Sequence, residues 1–172
     1  RLMYWLFARA TDANTMDYVL QTLQVDATKL RSLLTFQCPT PTISGSAGVS
    51  QQARGYSHSY RLVSRVAHKG KLESLKRLRE IVDDDVAFSK GVFATEDDGK
   101  SAVGIALRTW HGGAEKVGYL LGIDQVRKRY MEDVDALHAL LSQLNESWSD
   151  EVSEAVISAL TLTEEILKKV KA

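Results

Sequence analysis

Val66-Ala67-His68-Lys69-Gly70-Lys71-Leu72-Glu73-Ser74-Leu75-Lys76-Arg77-Leu78 is the stretch whose reading decides the fold class. Before the glycine, Leu62, Val63, Val66 and Ala67 share one helical face, and after it Leu72, Leu75, Leu78 and Val82 share another. Apolar residues recurring at spacings of three and four mark amphipathic helices. His68-Lys69-Gly70 is a break between two of them. The local unit is therefore a pair of short helices joined by a tight turn.

Working outward, the same pattern recurs. Toward the N-terminus, Leu2 to Ala10 reads as helix, and Asn14 is a candidate cap for a helix carrying Met16, Val19, Leu20 and Leu23, with Asp17 in its first turn. Asp26 is a second candidate cap, ahead of Leu30, Leu33 and Leu34. Cys38-Pro39-Thr40-Pro41 cannot continue a helix, and Ile43 to Ser50 is small and flexible, so 38–55 is expected to be an exposed loop. Helices return at about Ser57. After Val82 the expectation is an irregular acidic connector over 83–99, in which Val86-Ala87-Phe88 and Val92-Phe93-Ala94 are the only strand-like runs. Ser101 to Thr109 reads as a short helix containing Val103, Ala106 and Leu107. Gly112-Gly113 breaks it, and a further helix carries Val117, Leu120 and Leu121 to a stop at Gly122.

The last fifty or so residues are strongly helical. Val126, Tyr130, Val134, Leu137, Leu141 and Leu144 recur at spacings of 4, 4, 3, 4 and 3, close to a heptad seam. Ser147-Trp148-Ser149-Asp150 reads as a turn into a cap, before a helix with Val152, Val156, Ala159 and Leu160 on one face. Thr163 is a candidate cap for a final helix, with Glu164 and Glu165 at its start and Lys168, Lys169 and Lys171 at its end, a polarity that complements the helix dipole. The expected class is all-α, as short paired helices in a single domain over 1–172. Within it, 1–37 are N-terminal helices, 38–55 a flexible loop, 56–122 repeat-like helix pairs and 123–172 C-terminal helices.

Composition supports one compact domain. The 172 residues are 44% hydrophobic and 26% charged, an ordinary globular mixture. Lys+Arg and Asp+Glu are 22 each, and that neutral balance argues against a dedicated nucleic-acid binder. No run approaches the roughly 18 consecutive apolar residues of a membrane-spanning helix. A single cysteine, Cys38, excludes an internal disulfide framework and a Cys-rich zinc site. Residue 1 is Arg, so the expectation is a processed product or a fragment. Leu2 to Phe7 is too short for a signal-peptide core, and a removed organellar presequence is compatible with the missing methionine.

Two of the helix pairs resemble ankyrin repeats. In Val66 to Leu78 a short helix ends in a small residue, a turn glycine follows, and Leu72-Glu73 opens the second helix, as in that family. Asp98-Gly99-Lys100-Ser101-Ala102, Ile105-Ala106-Leu107 and Gly113 to Leu121 look like another copy. There Asp98-Gly99 matches the turn before the first helix, Ala106 the small residue between helices, and Leu120-Leu121 the double leucine of the second helix. The copies span about 60–82 and 97–122. A third, from Ala8-Arg9-Ala10 through Met16 to Leu20, lacks the turn glycine. The step from Ala67 to Ala106 exceeds the family's period of about 33 residues, the Trp110 to Gly113 turn is longer than usual, and Thr-Pro-Leu-His is absent. Other helix–turn–helix repeats and an irregular helical bundle therefore stay open. The resemblance implies stacked repeats, a C-terminal helical hairpin cap from Asp124 onward, and binding of a protein partner through the turns and the inner helix face.

No catalytic, cofactor or metal arrangement is legible. Gly99-Lys100-Ser101 resembles the end of a phosphate-binding loop, but Ala94 stands where that motif needs glycine, and Glu96, Asp97 and Asp98 would repel phosphate. His58, His68, His111 and His138 show no ligand-type spacing with one another or with Cys38. Cys38 lacks a nearby basic helper, so an inert thiol is the expectation. Asp83-Asp84-Asp85 and Glu96-Asp97-Asp98 lack the alternation of a calcium loop.

Charge segregation is more informative. Residues 51–79 hold Arg54, Arg61, Arg65, Lys69, Lys71, Lys76, Arg77 and Arg79 against Glu73 alone, while 80–98 hold seven acids against Lys90. Either neighbouring segments neutralise each other in the fold, or the basic block docks an acidic partner. Trp110 and His111 sit in a turn beside this block, and Trp is a frequent interface anchor. The candidate partner-binding residues are Arg61, Arg65, Lys69, Lys71, Arg108, Trp110 and His111. The functional expectation is a non-catalytic protein–protein interaction module without cofactor or membrane span. It would be an intracellular accessory or scaffold subunit of a larger hetero-oligomer, with a mitochondrion or other organelle as one setting. The alternatives are an organellar helical-repeat RNA binder and an enzyme whose site is invisible in sequence.

Overall fold

The computed structural model describes residues 12–38, 60–96, 98–109, 112–144 and 150–161. The expected helices at Leu2–Ala10 and after Thr163, most of the 38–55 loop, the side chain of Cys38, Trp110, His111 and the Ser147–Ser149 turn lie outside them. The fold is all-α. Helices α1 (Ala13–Thr22) and α2 (Ala27–Leu33) lead to a two-residue strand, β1 (Gln37–Cys38). It pairs antiparallel with β2 (Tyr60–Arg61), Gln37 opposite Arg61. Then follow α3 (Leu62–Lys69), α4 (Leu72–Val82), α5 (Asp85–Phe93), α6 (Ala102–Leu107), α7 (Gly113–Gly122), α8 (Asp124–Glu132), α9 (Val134–Leu144) and α10 (Asp150–Leu160).

Local chemistry explains where the helices begin. Asp26 caps α2 through a bond from the Lys29 N–H at 2.8 Å, and Ser101 caps α6 through the Gly104 N–H at 3.3 Å. Asn14 does not cap α1. Asp12 does, accepting from the Thr15 N–H at 2.9 Å, so the helix starts one residue before Asn14.

Two sequence expectations are corrected. The first is the acidic connector over 83–99, which contains α5. Asp84 caps it through the Ala87 N–H at 2.9 Å, and Phe88 and Val92, four apart on one face, are buried. Both strand-like runs thus lie in or at the end of this helix. The second is the seam from Val126 to Leu144, which runs over two helices. At Asp133 the chain turns extended (φ −108°, ψ 98°), and its carboxylate accepts the Ala136 N–H at 3.0 Å. Val134, an expected seam residue, is 69% exposed, whereas Val126, Tyr130, Leu137 and Leu141 are buried.

Helices pack both on their sequence neighbours, as α6 on α7 and α7 on α8, and on more distant ones. α3 lies against α6 and α6 against α9; α4 lies against α7 and α7 against α10; α5 lies against α8. Leu62 to Ala102, Leu72 to Gly113 and Asp85 to Asp124 are near-equal steps along the chain. α1 and α2 pack on α4. The core gathers Leu62, Val66, Ala67, Leu75, Leu78, Phe88, Ala102, Ala106, Val117, Leu120 and Val156, with Ala67, Ala102 and Ala106 wholly buried where α3 and α6 meet their neighbours. Gly113 opens α7 so close to α6 that a Cβ there would lie 2.9 Å from the Ala106 carbonyl oxygen.

Removal of the Phe88 ring is expected to cost about 3–5 kcal/mol in chemical denaturation of Phe88→Ala, because a fully buried side chain leaves a cavity. Val86→Ala, on the 52% exposed side of the same helix, should change stability by about 0.5 kcal/mol or less.

Candidate functional site: a cation-lined cleft at the helix turns

The cleft begins with the turn between α3 and α4. Gly70 closes α3 with its N–H on the Val66 carbonyl at 2.8 Å. A Cβ at position 70 would sit 2.6 Å from that same oxygen, so no larger residue fits without a backbone shift. Lys71 then precedes α4 without a side-chain cap. The α6–α7 turn faces it. Arg108 ends α6, and Gly112, in the left-handed region at φ 67°, starts α7, again without a side-chain cap.

Lys116, in the first turns of α7, joins the two. Its side chain is 2% exposed, and its ammonium donates to the carbonyl oxygens of Ala67 at 2.8 Å and Gly70 at 3.0 Å. These are carbonyls at the C-terminal end of α3, where a cation meets the negative end of the helix dipole. Burial holds the Lys116 pKa below its ordinary value of 10.5.

Between the turns lies a cavity of about 520 Å³, whose wall includes Lys69, Lys71, Arg108 and Lys116 together with Glu73, Glu115 and His68. Lys69, Lys71 and Arg108, separated by up to 39 residues in sequence, are thus brought together. Lys69 and Lys71 are exposed.

The other candidates go elsewhere. Arg61 fastens the N-terminal end of α3. Its side chain donates to the carbonyls of Thr95, at 2.8 Å, and Thr35, while its backbone N–H donates to Glu96 Oε1 at 2.9 Å. Arg65 is half-buried on α3 and does not line the cavity. Trp110 and His111 lie outside the described residues. Part of the basic block is neutralised within the fold. Arg79 holds Asp85 through two bonds of 2.7 Å and Arg77 holds Asp17 at 2.8 Å, while Arg31, outside that block, reaches the Val82 carbonyl at 2.9 Å and Asp84 at 3.9 Å. Arg79 keeps the Asp85 carboxyl below the usual carboxylate range.

Lys116 and Glu96 escaped sequence reasoning. The signal for Lys116 was its phase, since it lies on the same face of α7 as Val117, Leu120 and Leu121, all buried. Glu96 was counted with an acidic surface cluster but is buried, and burial pushes its pKa above the ordinary 4.5 against the opposing pull of the Arg61 N–H.

Comparison with family models, curated proteins and solved structures gives no match. Among the described residues, no three His, Cys, Asp or Glu side chains are grouped to hold a metal ion, and no helix is long and apolar enough to cross a membrane. The cleft brings together cations and helix N-termini, which attract negative charge.

Lys116→Met should destabilise the protein by about 1–3 kcal/mol, since two buried carbonyls lose their donor. With its folded pKa lowered, the lysine of the unfolded chain binds more protons just below pH 10.5. The advantage of wild type over this variant should therefore grow as pH rises toward that value. Glu96 has the opposite sign. Its raised folded pKa makes stability fall as pH climbs above 4.5, so Glu96→Gln, which keeps an oxygen for Arg61, should equal or exceed wild type in thermal midpoint at neutral pH and lose that advantage in acid. Melting curves across pH check both.

Proposed function

We propose that the chain is a non-catalytic protein–protein interaction module made of stacked, irregular, ankyrin-like helix pairs. In this reading it is a small accessory or scaffold subunit of a larger hetero-oligomer, in an organelle such as the mitochondrion. The observation that carries the reading is the packing of like-positioned helices, α3 on α6 on α9 and α4 on α7 on α10, with the intervening turns gathering Lys69, Lys71 and Arg108 at one cleft. Helices this short stack into a scaffold that leaves its turns free to meet a partner. The partner is a protein with an acidic surface, and Trp110 and His111 belong to the turn that meets it.

Native purification followed by sizing and mass spectrometry tests the proposal. The expected result is a defined assembly containing a stoichiometric partner with an acidic surface. Elution at the mass of the chain alone, under gentle conditions, contradicts it. So does tight RNA binding that weakens steeply with salt, which belongs to the RNA-binder alternative. Trp110→Ala separates an anchor from a core residue. An anchor lowers partner affinity and leaves stability nearly unchanged, whereas a loss of about 3–5 kcal/mol in folding places the ring in the core and removes it from the interface.

A further inference from the structure

We propose that the cavity between the α3–α4 and α6–α7 turns receives the carboxylates of an acidic peptide segment of the partner, one of them reaching the ammonium of Lys116. This rests on the interaction-module reading and adds to it an address and a chemistry.

Charge comes first. Lys69, Lys71, Arg108 and Lys116 line the cavity against Glu73 and Glu115, so its wall carries an excess of positive charge in a chain of zero formal net charge. Among the described residues, Lys69 and Lys71 take no part in the ion pairs at Arg31, Arg77, Arg79, Lys100, Arg127 and Lys128. Lys116 makes its two bonds to neutral carbonyls, so its charge is oriented but not cancelled. An ammonium has three N–H donors. Two are used on Ala67 and Gly70, and Lys116 itself lines the cavity.

The backbone adds to this field. α4 and α7 both begin at the cavity, and neither has a side-chain cap, so the positive ends of two helix dipoles converge where the cations do. A volume of about 520 Å³ accommodates a few side chains rather than a folded surface. Glu73 and Glu115 select the kind of anion. They would repel a continuous polyphosphate, whereas a peptide interleaves its carboxylates with backbone N–H groups that these two glutamates can accept.

The test uses the full chain and a fluorescein-labelled peptide of alternating Asp and Ser, with alternating Asn and Ser as the control. The expected result is anisotropy-detected binding of the acidic peptide alone, with amide shifts at Leu72, Glu73, Gly113 and Ala114. Lys69→Glu combined with Lys71→Glu should weaken it by about tenfold or more, while Lys76→Glu, exposed on α4 outside the cavity wall, should change it by less than about twofold. Circular dichroism confirms that the variants fold. Equal binding of the Asn peptide overturns the proposal, and so does equal loss on Lys76→Glu, which would mean diffuse attraction. Saturation of the same amides by succinate or inorganic phosphate, with no gain from the peptide, also overturns it in favour of a small-anion site, as does displacement of the peptide by an RNA oligonucleotide at lower concentration. The natively purified partner separates the two readings. If it stays bound to the Lys69→Glu/Lys71→Glu chain, the cavity proposal fails and the module stands. If no partner exists but the peptide binds at the cavity as described, the subunit reading fails and the cavity stands.

Discussion

The structure depends on how closely thin helices approach one another. α6 is only Ala102 to Leu107, and it is covered by α3, α7 and α9. A helix so short has little intrinsic stability and persists because neighbours bury it. That burial requires small residues at the contacts. Ala102 and Ala106 bury completely, Gly104 lies under Gln143, and Gly113 meets the Ala106 carbonyl with no room for a methyl group. Leucine at any of these points would push the stack apart. The same constraint explains Gly91 on α5, where a Cβ would come within 2.9 Å of Val63 and 3.0 Å of Leu34.

Close approach has a consequence for polar groups. Where α3 ends against α7, its last carbonyls are shielded from water and need donors. Lys116 supplies them from another helix, placing a buried cation beneath a turn whose exposed residues are also cationic. Packing and charge are therefore linked at this cleft. The cation that ties α7 to the α3–α4 turn also lines the cavity. At the opposite end of α3, Arg61 performs a purely internal task on Thr35, Thr95 and Glu96. Two arginines and a lysine drawn from one basic block thus have different fates. Arg79 pairs with Asp85, Arg61 fastens a loop, and Lys69 stays at the surface beside the cavity.

What was legible in the sequence was local. The stripes of α3 and α4, the Gly70 and Gly112 breaks and the Asp26 cap each involve residues within about one helical turn. α5 was missed because Asp83-Asp84-Asp85 looks like a solvated connector, while Phe88 and Val92 sit inside runs that mimic strands; the four-residue interval between them and the Asp84 cap were the countersigns. The split at Asp133 was missed because apolar periodicity continues across it, and only the cap to Ala136 marks the stop. The cleft was half legible. Lys69 and Lys71 stand out in a basic block, but their convergence with Arg108 and the burial of Lys116 arise from the packing of α3 and α4 on α6 and α7, which pairs residues far apart in the chain.

The account rests on α6 and α7 touching at Gly113, and the sign of one substitution tests that directly. In a helix free of such contact, Gly→Ala stabilises by about 0.5–1 kcal/mol, because alanine loses less conformational freedom on folding. Here the added methyl meets the Ala106 carbonyl at 2.9 Å, so equilibrium unfolding of Gly113→Ala should show a loss of about 1–3 kcal/mol. Unchanged or increased stability in that variant would contradict the close packing on which the stacked helices and their cleft depend.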